Sequence, residues 1–446
     1  MSGPAGSHLI PEGFSADELR AAWPVLSAED RAEGFQLLPS ADAEDFFHEL
    51  TAHDQASLLL SVAPAARRLW IKSLAPDDAA DVLQEMEPED RVAILSLFDD
   101  ISRNEISGLL AFAEDAAGGL MSPRFARVRP DATVDEAISY LRRQARINTL
   151  ETIYYAYVLD GMQRLKGVVS FRELFVAPPH KHVADVMHTE VVSVPENMDQ
   201  EAVARIFASR GLMALPVLDA DGRMKGIVTA DDIVDVVQEE ATEDIQKLGG
   251  MEALDMPYLR TPFLEMVRKR AGWLAALFLG EMLTATAMGY YEAEIARAVI
   301  LALFVPLIIS SGGNAGSQAT TLVIRAMALG ELRIRDWWRV IRREFFSGLS
   351  LGLILACIGF VRIVAWEHVF HTYGTHYLLV AGTVSFSLIG VVTWGTLAGS
   401  MLPFLLRRLG FDPASASAPF VATLVDVSGL VIYFSVAQLI LSGTLL

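Results

Sequence analysis

The sequence predicts a multidomain membrane protein with a soluble N-terminal half of helices and α/β units, followed by an all-α transmembrane domain. Three observations predict this class. Residues 1–256 hold 22 basic and 45 acidic side chains, whereas 257–446 hold 14 and 10. The first hundred residues carry a twelve-residue repeat, and the C-terminal part holds five long apolar stretches. The strongly acidic half attracts cations and repels nucleic acid, so we expect no nucleic-acid partner.

Apolar residues recur at twelve-residue intervals in the first hundred residues, and a proline often follows within two positions. The series is Leu26, Leu38, Leu50, Val62, Leu74 and Met86. Units such as LAPDDAADVLQE place a proline and acids in the first helical turn, where both are favoured. Because twelve residues make one short helix and its turn, 1–117 is predicted to be a superhelical repeat domain. An ordinary helical bundle is the alternative.

Two similar β-α-β units follow, and each has an Asp-Gly turn between two strands. The second contains the helix EAVARIFASRG, the strand ALPVLD and the strand KGIVT before a closing helix. The first repeats this order and ends in KGVVS. The order is that of paired strands around a tight turn, with a helix on each side. It resembles a tandem CBS pair, which we place at 118–180 and 181–245.

A nucleotide site in the second unit is an open question. In nucleotide-binding CBS pairs, a Thr or Ser followed three residues later by Asp contacts the ribose. Thr229 and Asp232 fit this pattern, whereas the first unit has Ser170 and Glu173. The resemblance therefore allows ATP at Thr229 and Asp232, and the absence of any nucleotide is an equal alternative.

Five apolar stretches define a transmembrane domain over 271–446, and each is long enough to cross a lipid bilayer. They are 271–290, 298–322, 346–366, 377–406 and 418–441. We predict a connecting helix at 246–270. Arginines and lysines concentrate before the first stretch and in the second and fourth loops, which predicts a cytoplasmic N-terminus and an extracytoplasmic C-terminus. The first residues lack a secretory signal. The five apolar stretches lead us to expect a multi-pass protein of the cell (inner) membrane.

The second stretch contains features that interrupt a helix. Pro306 removes one helix hydrogen bond, and Gly312 with Gly313 allows a bend or the close approach of another backbone. Asn314 then brings an amide to the same level. Irregular backbone at membrane depth is tolerated where it lines a cavity. We therefore predict an element of a permeation path, with a small-residue packing seam as the alternative.

Asp426 is the only charged residue in 418–446. With Asp412 as helix cap, it should lie about 20 Å into the fifth span, near the middle of the membrane. A carboxylate there costs about 2.5–3.5 kcal/mol on insertion scales, so it is expected to line water, bind a cation or pair with a base. Arg325 and Arg362 are the alternative structural partners. Glu281 is a second intramembrane acid whose role is left open.

Three segments carry a resemblance that covers essentially the whole chain. They are GGNAGSQ in the second span, EEATEDIQKLG after the second CBS unit, and DPASASAPFVATLVDVSGLVIYFS in the fifth span. Together they resemble the MgtE family of magnesium channels. The resemblance implies a homodimer in the lipid bilayer, with a pore between the second and fifth spans. It also implies that Asp426 is the pore aspartate and that Asn314 belongs to the Gly-Gly-Asn pore motif.

The resemblance further implies that the cytosolic half binds regulatory Mg²⁺. The matching acids are Asp77, Asp81, Asp232, Asp235, Glu240, Glu243 and Asp244. Several of them recur every three to four residues and so share a helix face. Acidic faces repel each other, and divalent cations between them would favour a compact, closed form. A merely solubilising acidic surface is the alternative.

We therefore expect a Mg²⁺-selective channel, not an enzyme, that imports magnesium down its electrochemical gradient and closes when Mg²⁺ binds the acidic domains. A Na⁺-coupled Mg²⁺ exchanger or a broader transporter of Co²⁺ and Mn²⁺ is the alternative. A membrane-anchored sensor without transport is a third interpretation. No hydrolase triad or phosphate-binding loop is visible in the sequence. Selectivity among the divalent cations depends on pore width, which the sequence does not state.

Overall fold

The computed structural model describes residues 15–146, 150–254 and 256–445. Residues 1–14 of the predicted repeat domain therefore lie outside the described part. The chain divides into two compact units, one up to Gln238 and the other from Glu239 onward.

The repeat domain is a series of short helices whose starts are twelve residues apart from the second helix onward. Its helices are α1 (Ala16–Ala22), α2 (Ala28–Gln36), α3 (Ser40–Glu49), α4 (Ala52–Ser61), α5 (Pro64–Ile71), α6 (Pro76–Gln84), α7 (Pro88–Leu95) and α8 (Asp100–Leu109). Alternate helices pack on each other, α2 on α4, α4 on α6 and α6 on α8. The predicted superhelical repeat domain is confirmed.

One position of the repeat links five of the helices, α2, α4, α5, α7 and α8, to the helix before each of them. The side chain at this position donates a hydrogen bond to a backbone carbonyl at or just beyond the end of the preceding helix. The donors and acceptors are Arg31 to Trp23, Gln55 to Phe47, Arg67 to Val62, Arg91 to Leu83 and Arg103 to Phe98, at 2.8–3.1 Å. Helix ends leave carbonyls without intrahelical partners, so these donors satisfy groups that stacking buries.

Each α/β unit contains one three-stranded sheet, and the tandem CBS pair is confirmed. After α9 (Ala117–Leu120), the first unit comprises β1 (Arg127–Val128), α10 (Val134–Arg146), β2 (Tyr155–Leu159), β3 (Leu165–Ser170) and α11 (Phe171–Val176). The second comprises β4 (Val194–Pro195), α12 (Gln200–Arg210), β5 (Ala214–Leu218), β6 (Met224–Thr229) and α13 (Ala230–Leu248). In both sheets the first strand is parallel to the second, and the third is antiparallel to it.

The second CBS unit and the repeat domain share one hydrophobic core. Ile233 and Val236 of α13 are buried in the same cluster as Leu83 of α6 and Val217 of β5. The apolar side of α13 is therefore held against both domains. This packing brings the acids that flank it towards the start of α6.

The predicted connecting helix at 246–270 is wrong as a single helix. α13 ends at Leu248, and Gly250 adopts φ +74°, a left-handed conformation that ends a helix. The next helix begins only at Phe263, after Pro262. Two glycines and the prolines at 257 and 262 explain the break, because they favour turns over helix.

The second unit contains seven helices among its described residues. They are α14 (Phe263–Tyr290), α15 (Glu292–Arg297), α16 (Val299–Ala302), α17 (Val305–Ala328), α18 (Trp337–Phe370), α19 (Tyr377–Arg408) and α20 (Ala418–Leu441). Five segments are long and apolar enough to cross a membrane: Phe263–Tyr290, Val299–Ala328, Ile334–Phe370, Tyr377–Arg408 and Ala418–Leu441. The five predicted spans are confirmed, and the first and third helices begin more than two turns earlier than predicted.

The interruption of the second span lies earlier than the sequence predicted. The break is between α16 and α17, at Leu303 and Phe304, and Gly312 and Gly313 lie inside continuous helix. Pro306 occupies the first turn of α17, where a backbone N–H has no intrahelical partner to lose. The carbonyl of Leu301 at the break accepts a 2.9 Å hydrogen bond from the Tyr433 hydroxyl.

Glycines let α17 and α19 touch backbone to backbone. A Cβ placed on Gly395 would lie 2.3 Å from the carbonyl oxygen of Gly312, and one on Gly399 would lie 2.2 Å from that of Gly316. No side chain fits at these distances. Gly312 therefore serves the packing seam that the sequence analysis kept as an alternative.

We predict that Gly395→Ala destabilises the membrane unit, because the new methyl group must force α17 and α19 apart. Overpacking of this kind costs about 1–3 kcal/mol. Gly382→Ala in the same helix is the control, since a Cβ there meets nothing within 4 Å. The control should be neutral or stabilising by about 1 kcal/mol, because alanine is the better helix former. Apparent melting temperatures in detergent check both, and equal values for the two variants would contradict the seam.

Candidate functional site

Asp426 lies on α20 closer to the helix start than the sequence predicted. Ser417 caps this helix, its hydroxyl accepting from the backbone N–H of Phe420, and Pro419 occupies the first turn. Asp412 instead caps a separate 3-10 turn at Pro413–Ser415. Asp426 is therefore eight residues, or about 12 Å, beyond the first residue of the helix. The sequence holds two successive cap-plus-proline signals, and only the second one begins the spanning helix.

The carboxylate of Asp426 faces α17 at a glycine. It is half-buried, and a Cβ on Gly313 would lie 3.6 Å from its Oδ1 atom and 3.4 Å from the Cβ of Ala422. At the preceding glycine, Gly312, the side chains of Val425 and Val391 leave no room for a Cβ. Gly313 thus keeps a small space open beside the carboxylate, whereas its neighbour packs tightly.

The basic residues considered as partners of Asp426 are engaged elsewhere or form no ion pair with it among the described residues. The Arg362 guanidinium lies 3.8 Å from the centre of the Trp366 ring and donates to the Tyr373 hydroxyl. Arg325 is exposed at the other end of α17. The structural ion pair for Asp426 is therefore not formed within the described chain.

A polar stripe runs along α17 beside this region. Ser310, Asn314, Gln318 and Thr321 recur every three or four residues and are all exposed. Asn314 donates only a long 3.4 Å hydrogen bond, to Ser310, whereas Ser317 turns towards α20 and donates to the Ala418 carbonyl at 3.1 Å. The Thr321 hydroxyl donates to the Ser317 carbonyl at 2.9 Å, whereas the exposed amides of Asn314 and Gln318 present polar atoms that water, a cation or a partner chain would satisfy. The structure thus places Asn314 on an uncovered polar face next to the glycine that meets Asp426.

The N-terminal unit has an acidic cluster centred on Asp77. Asp77 is 7% exposed, and its Oδ1 atom is buried without a hydrogen-bond partner among the described residues. Burial raises the pKa of Asp77 to about 8, and repulsion from Glu151, Asp78 and Asp232 adds to this effect. Burial also raises the pKa of Asp232 to about 6, although hydrogen bonds from Thr229 oppose the shift.

Asp78 extends the cluster on the same helix. Its pKa is raised, first by burial and then by repulsion from Asp231 and Asp235, while His48 acts in the opposite direction. Asp235 therefore lies near the cluster. Several carboxylates held this closely repel one another unless protons or cations neutralise them.

The remaining predicted acids are not all gathered in one place. Asp81 lies on α6, and Glu240 and Asp244 lie on the second half of α13. Glu243 instead forms a 2.6 Å ion pair with Lys247, which also contacts Asp412 at 2.7 Å. Within the residues that the structure describes, no three Asp, Glu, His or Cys side chains converge closely enough to hold a metal ion. The acids fit a hydrated cation bridged through water better than a dehydrated one.

The end of α13 is tied to the membrane helices of the second unit. Burial alone lowers the pKa of Lys247, but hydrogen bonds to Asp412 and Glu243 outweigh it and raise this pKa to about 12. Leu248 packs with Ile324 of α17 and with two alanines just before α20. Lys247 therefore stays charged, and α13 ends in contact with the helix that carries Asn314 and with the segment just before the helix that carries Asp426.

Comparison with known proteins identifies the family. The chain is 42% identical over 437 residues to the magnesium transporter MgtE of Thermus thermophilus, covering 97% of this chain and 95% of that protein. The chain belongs to the MgtE family. It is also 31% identical over 412 residues to MgtE of Bacillus subtilis, covering 92% of this chain and 89% of that protein.

Family profiles divide the chain in the same order as the fold. The MgtE intracellular N domain matches 15–115, CBS domains match 117–179 and 183–239, and the MgtE divalent cation transporter domain matches 305–436. The cytosolic domain of a Mg²⁺ channel MgtE, crystallised with ATP, is 41% identical and covers 50% of this chain and 91% of its own, at TM-score 0.47. The soluble part of a magnesium transporter is 30% identical, covering 51% and 93%, at TM-score 0.41. The protein is thus a multi-pass membrane member of the MgtE family.

Three acids of the cluster around Asp77 were not predicted from the sequence of this MgtE-family chain. Asp78 and Asp231 are sequence neighbours of predicted residues, so their doublets were an available signal. Glu151 lies in the loop before β2, accepts a hydrogen bond from Ser122 and has a pKa raised by burial. No periodic pattern marks it, because only folding brings this loop to α6.

The proposed nucleotide residues of the second CBS unit contact each other. Asp232 accepts hydrogen bonds from the Thr229 hydroxyl at 2.6 Å and from its backbone N–H at 3.1 Å. The bond from the Thr229 backbone N–H to the Asp232 carboxylate is one half of the capping box that starts a helix, here α13. A nucleotide would have to compete with this cap, and the nucleotide site stays a prediction.

We predict that, in the presence of a chelator that removes divalent cations, the N-terminal unit loses stability as the pH rises from about 4 to about 8.5. The raised pKa values mean that the folded form keeps protons on Asp77 and Asp232 that the unfolded chain releases near its ordinary pKa of about 3.9. This contribution is fully present at low pH and is lost as the pH passes the pKa values of the folded form. A tenfold difference in proton affinity between the two forms corresponds to about 1.4 kcal/mol. Hydrogen exchange of α6 and α13 in the full-length protein measures it.

Asp77→Asn should flatten this pH dependence, because the amide is neutral throughout. Glu89→Gln is the matched control: it removes the exposed acid at the same position of the next repeat. An equally steep pH dependence in Asp77→Asn and in the wild type would contradict the assignment.

Proposed function

We propose that this protein conducts Mg²⁺ across the cell membrane through a path lined by Asp426 and Asn314. The observation that carries the proposal is the half-buried Asp426 carboxylate inside the fifth span, with no basic partner in the described chain and with Gly313 holding space beside it. A charge in this position is costly unless water or a cation neutralises it. The magnesium transporters that the chain matches over most of its length support Mg²⁺ as the ion.

The chemistry of the path suits a hydrated divalent cation. Mg²⁺ sheds its water reluctantly and prefers oxygen ligands in octahedral geometry. One carboxylate with neighbouring amide and hydroxyl oxygens can accept hydrogen bonds from the coordinated waters without replacing them. Such a site binds weakly enough to release the ion, as conduction requires.

A second copy of the chain would complete this path. The polar face of α17 is uncovered in the single chain, and a two-fold axis along it would bring two copies of Asn314 and Asp426 around one channel. Two carboxylates would then face one divalent ion. We therefore propose a homodimer, with the N-terminus in the cytoplasm and the C-terminus outside, as the positive-inside pattern favours.

Cytosolic Mg²⁺ closes the path in this proposal. The acids around Asp77 and Asp232 repel each other, and a hydrated divalent cation would neutralise them and hold α13 against α6. The far end of α13 contacts Asp412 and Ile324 in the membrane unit. Loss of Mg²⁺ would release the first contact and allow the helix to shift at the second.

The same residues also allow a different transport mechanism and a second regulatory ligand. The break between α16 and α17 also suits a Na⁺-coupled exchanger, since transporters use discontinuous helices at their ion sites. ATP at Thr229 and Asp232 would act on the start of α13 and therefore on the same gate.

We predict that Asp426→Asn abolishes Mg²⁺ current, because the path then lacks its charged acceptor. The wild type should carry Mg²⁺ current under imposed voltage without any sodium gradient, since 100 mV supplies about 4.6 kcal/mol for a divalent ion. Voltage-clamped liposome patches measure both. Glu292→Gln, which removes an exposed acid outside the spans, is the control and should conduct normally. Current that requires sodium would favour the exchanger.

We also predict that neutralising the cytosolic cluster by Asp77→Asn with Asp232→Asn leaves the channel open at high cytosolic Mg²⁺. Without these charges, the ion has less to bridge, so block should need at least about tenfold more Mg²⁺. Current measured against internal Mg²⁺ checks this, with Glu89→Gln as control. If internal Mg²⁺ blocks the double variant at the same concentration as the wild type, the gating proposal is contradicted while the proposal of conduction stands.

A further inference from the structure

The first span carries a carboxylate that the proposed path does not use. Glu281 lies nine residues before the end of α14 and is exposed in the single chain. Among the described residues it forms no hydrogen bond and no ion pair with a basic side chain. Like Asp426, it should be costly inside a membrane unless water or a cation meets it.

Two contacts fix the register of α14 against α20. The Trp273 indole donates to the Ser417 hydroxyl at 3.1 Å, and a Cβ on Gly280 would lie 2.9 Å from the Cγ2 atom of Thr423. Both contacts advance in the same direction along the two helices. Glu281 is eight residues beyond Trp273, or about 12 Å, and Asp426 is nine beyond Ser417, or about 13.5 Å. The two acids therefore lie at nearly the same depth, and their charges repel each other.

A hydroxyl without a partner lies less than one turn beyond Glu281 on the same helix. Thr284 is 9% exposed, and its Oγ1 atom has no hydrogen-bond partner among the described residues. It is one turn beyond Gly280, on the face of α14 that packs on α20. Other hydroxyls of these helices bond to their own backbone, as Thr286 does to Met282 and Thr423 to Pro419. Thr284 thus offers an oxygen that the helix itself does not use.

We propose that Glu281 and Thr284 of the first span complete the cation site at Asp426 by accepting hydrogen bonds from the waters of the hydrated divalent ion. This inference rests on the proposed function and assigns the first span a part in ion selection. Two carboxylates at one depth repel each other, and a divalent cation held between them relieves that repulsion. The site therefore favours divalent over monovalent cations, because one monovalent charge leaves the second carboxylate uncompensated.

The test is Mg²⁺ uptake by proteoliposomes as external Mg²⁺ is varied. Glu281→Gln should raise the half-saturating Mg²⁺ concentration about tenfold while the maximal rate is largely kept. Glu281→Asp should restore part of the affinity, and Glu292→Gln should behave as wild type. Thr284→Val should give a smaller rise of about threefold, whereas Thr286→Val, with its hydroxyl already bonded, should give none.

The outcomes separate this inference from the proposed function. If the wild type takes up no Mg²⁺, or Asp426→Asn takes it up normally, the proposed function fails. If Asp426→Asn is inactive but Glu281→Gln keeps the wild-type half-saturation, only the role of Glu281 fails. A structural role alone predicts that Glu281→Gln changes the melting temperature without changing half-saturation, and that result would overturn the inference. Should Glu281→Gln prove unfolded in detergent, Glu281→Asp and Thr284→Val decide it in the same way.

Discussion

The backbone contact between α17 and α19 is the constraint on which the membrane unit depends. Gly312 and Gly316 meet Gly395 and Gly399 so closely that no side chain fits between them. This contact leaves the opposite face of α17 to the polar stripe. The glycine beside the seam, Gly313, meets Asp426 of α20. The position of the carboxylate therefore follows from how closely three helices approach.

The N-terminal unit depends instead on hydrophobic packing that holds like charges close together. Its shared core includes Ile233 and Val236 of α13 together with buried residues of α6, and the fold brings Asp77 and Asp232 close to each other against their mutual repulsion. Hydrophobic burial thus stores an electrostatic cost that protons or divalent cations can relieve. This balance explains why one surface can respond to an ion without a closed coordination shell.

Local patterns predicted the elements better than their ends. The twelve-residue repeat, the two CBS units and the five spans were all readable, because each follows from periodicity and turn chemistry. The connecting helix was wrong, because Gly250 and the following prolines end it, and the cap of α20 was misassigned to Asp412. The glycine pair of α17 predicted a bend as readily as a packing seam. A glycine pair has the same sequence whether it bends its own helix or allows a neighbouring helix to approach closely.

The sequence by itself determined which residues place a charge inside a membrane span or on a crowded acidic helix face. Asp426, Glu281 and the acids of α6 and α13 stand out because membrane spans and helix faces are set by local order along the chain. Only the tertiary structure decided which of them meet. Glu151 joins the Asp77 cluster, Lys247 pairs with Asp412, and Glu281 reaches the depth of Asp426, because these contacts depend on helix register and packing across many intervening residues.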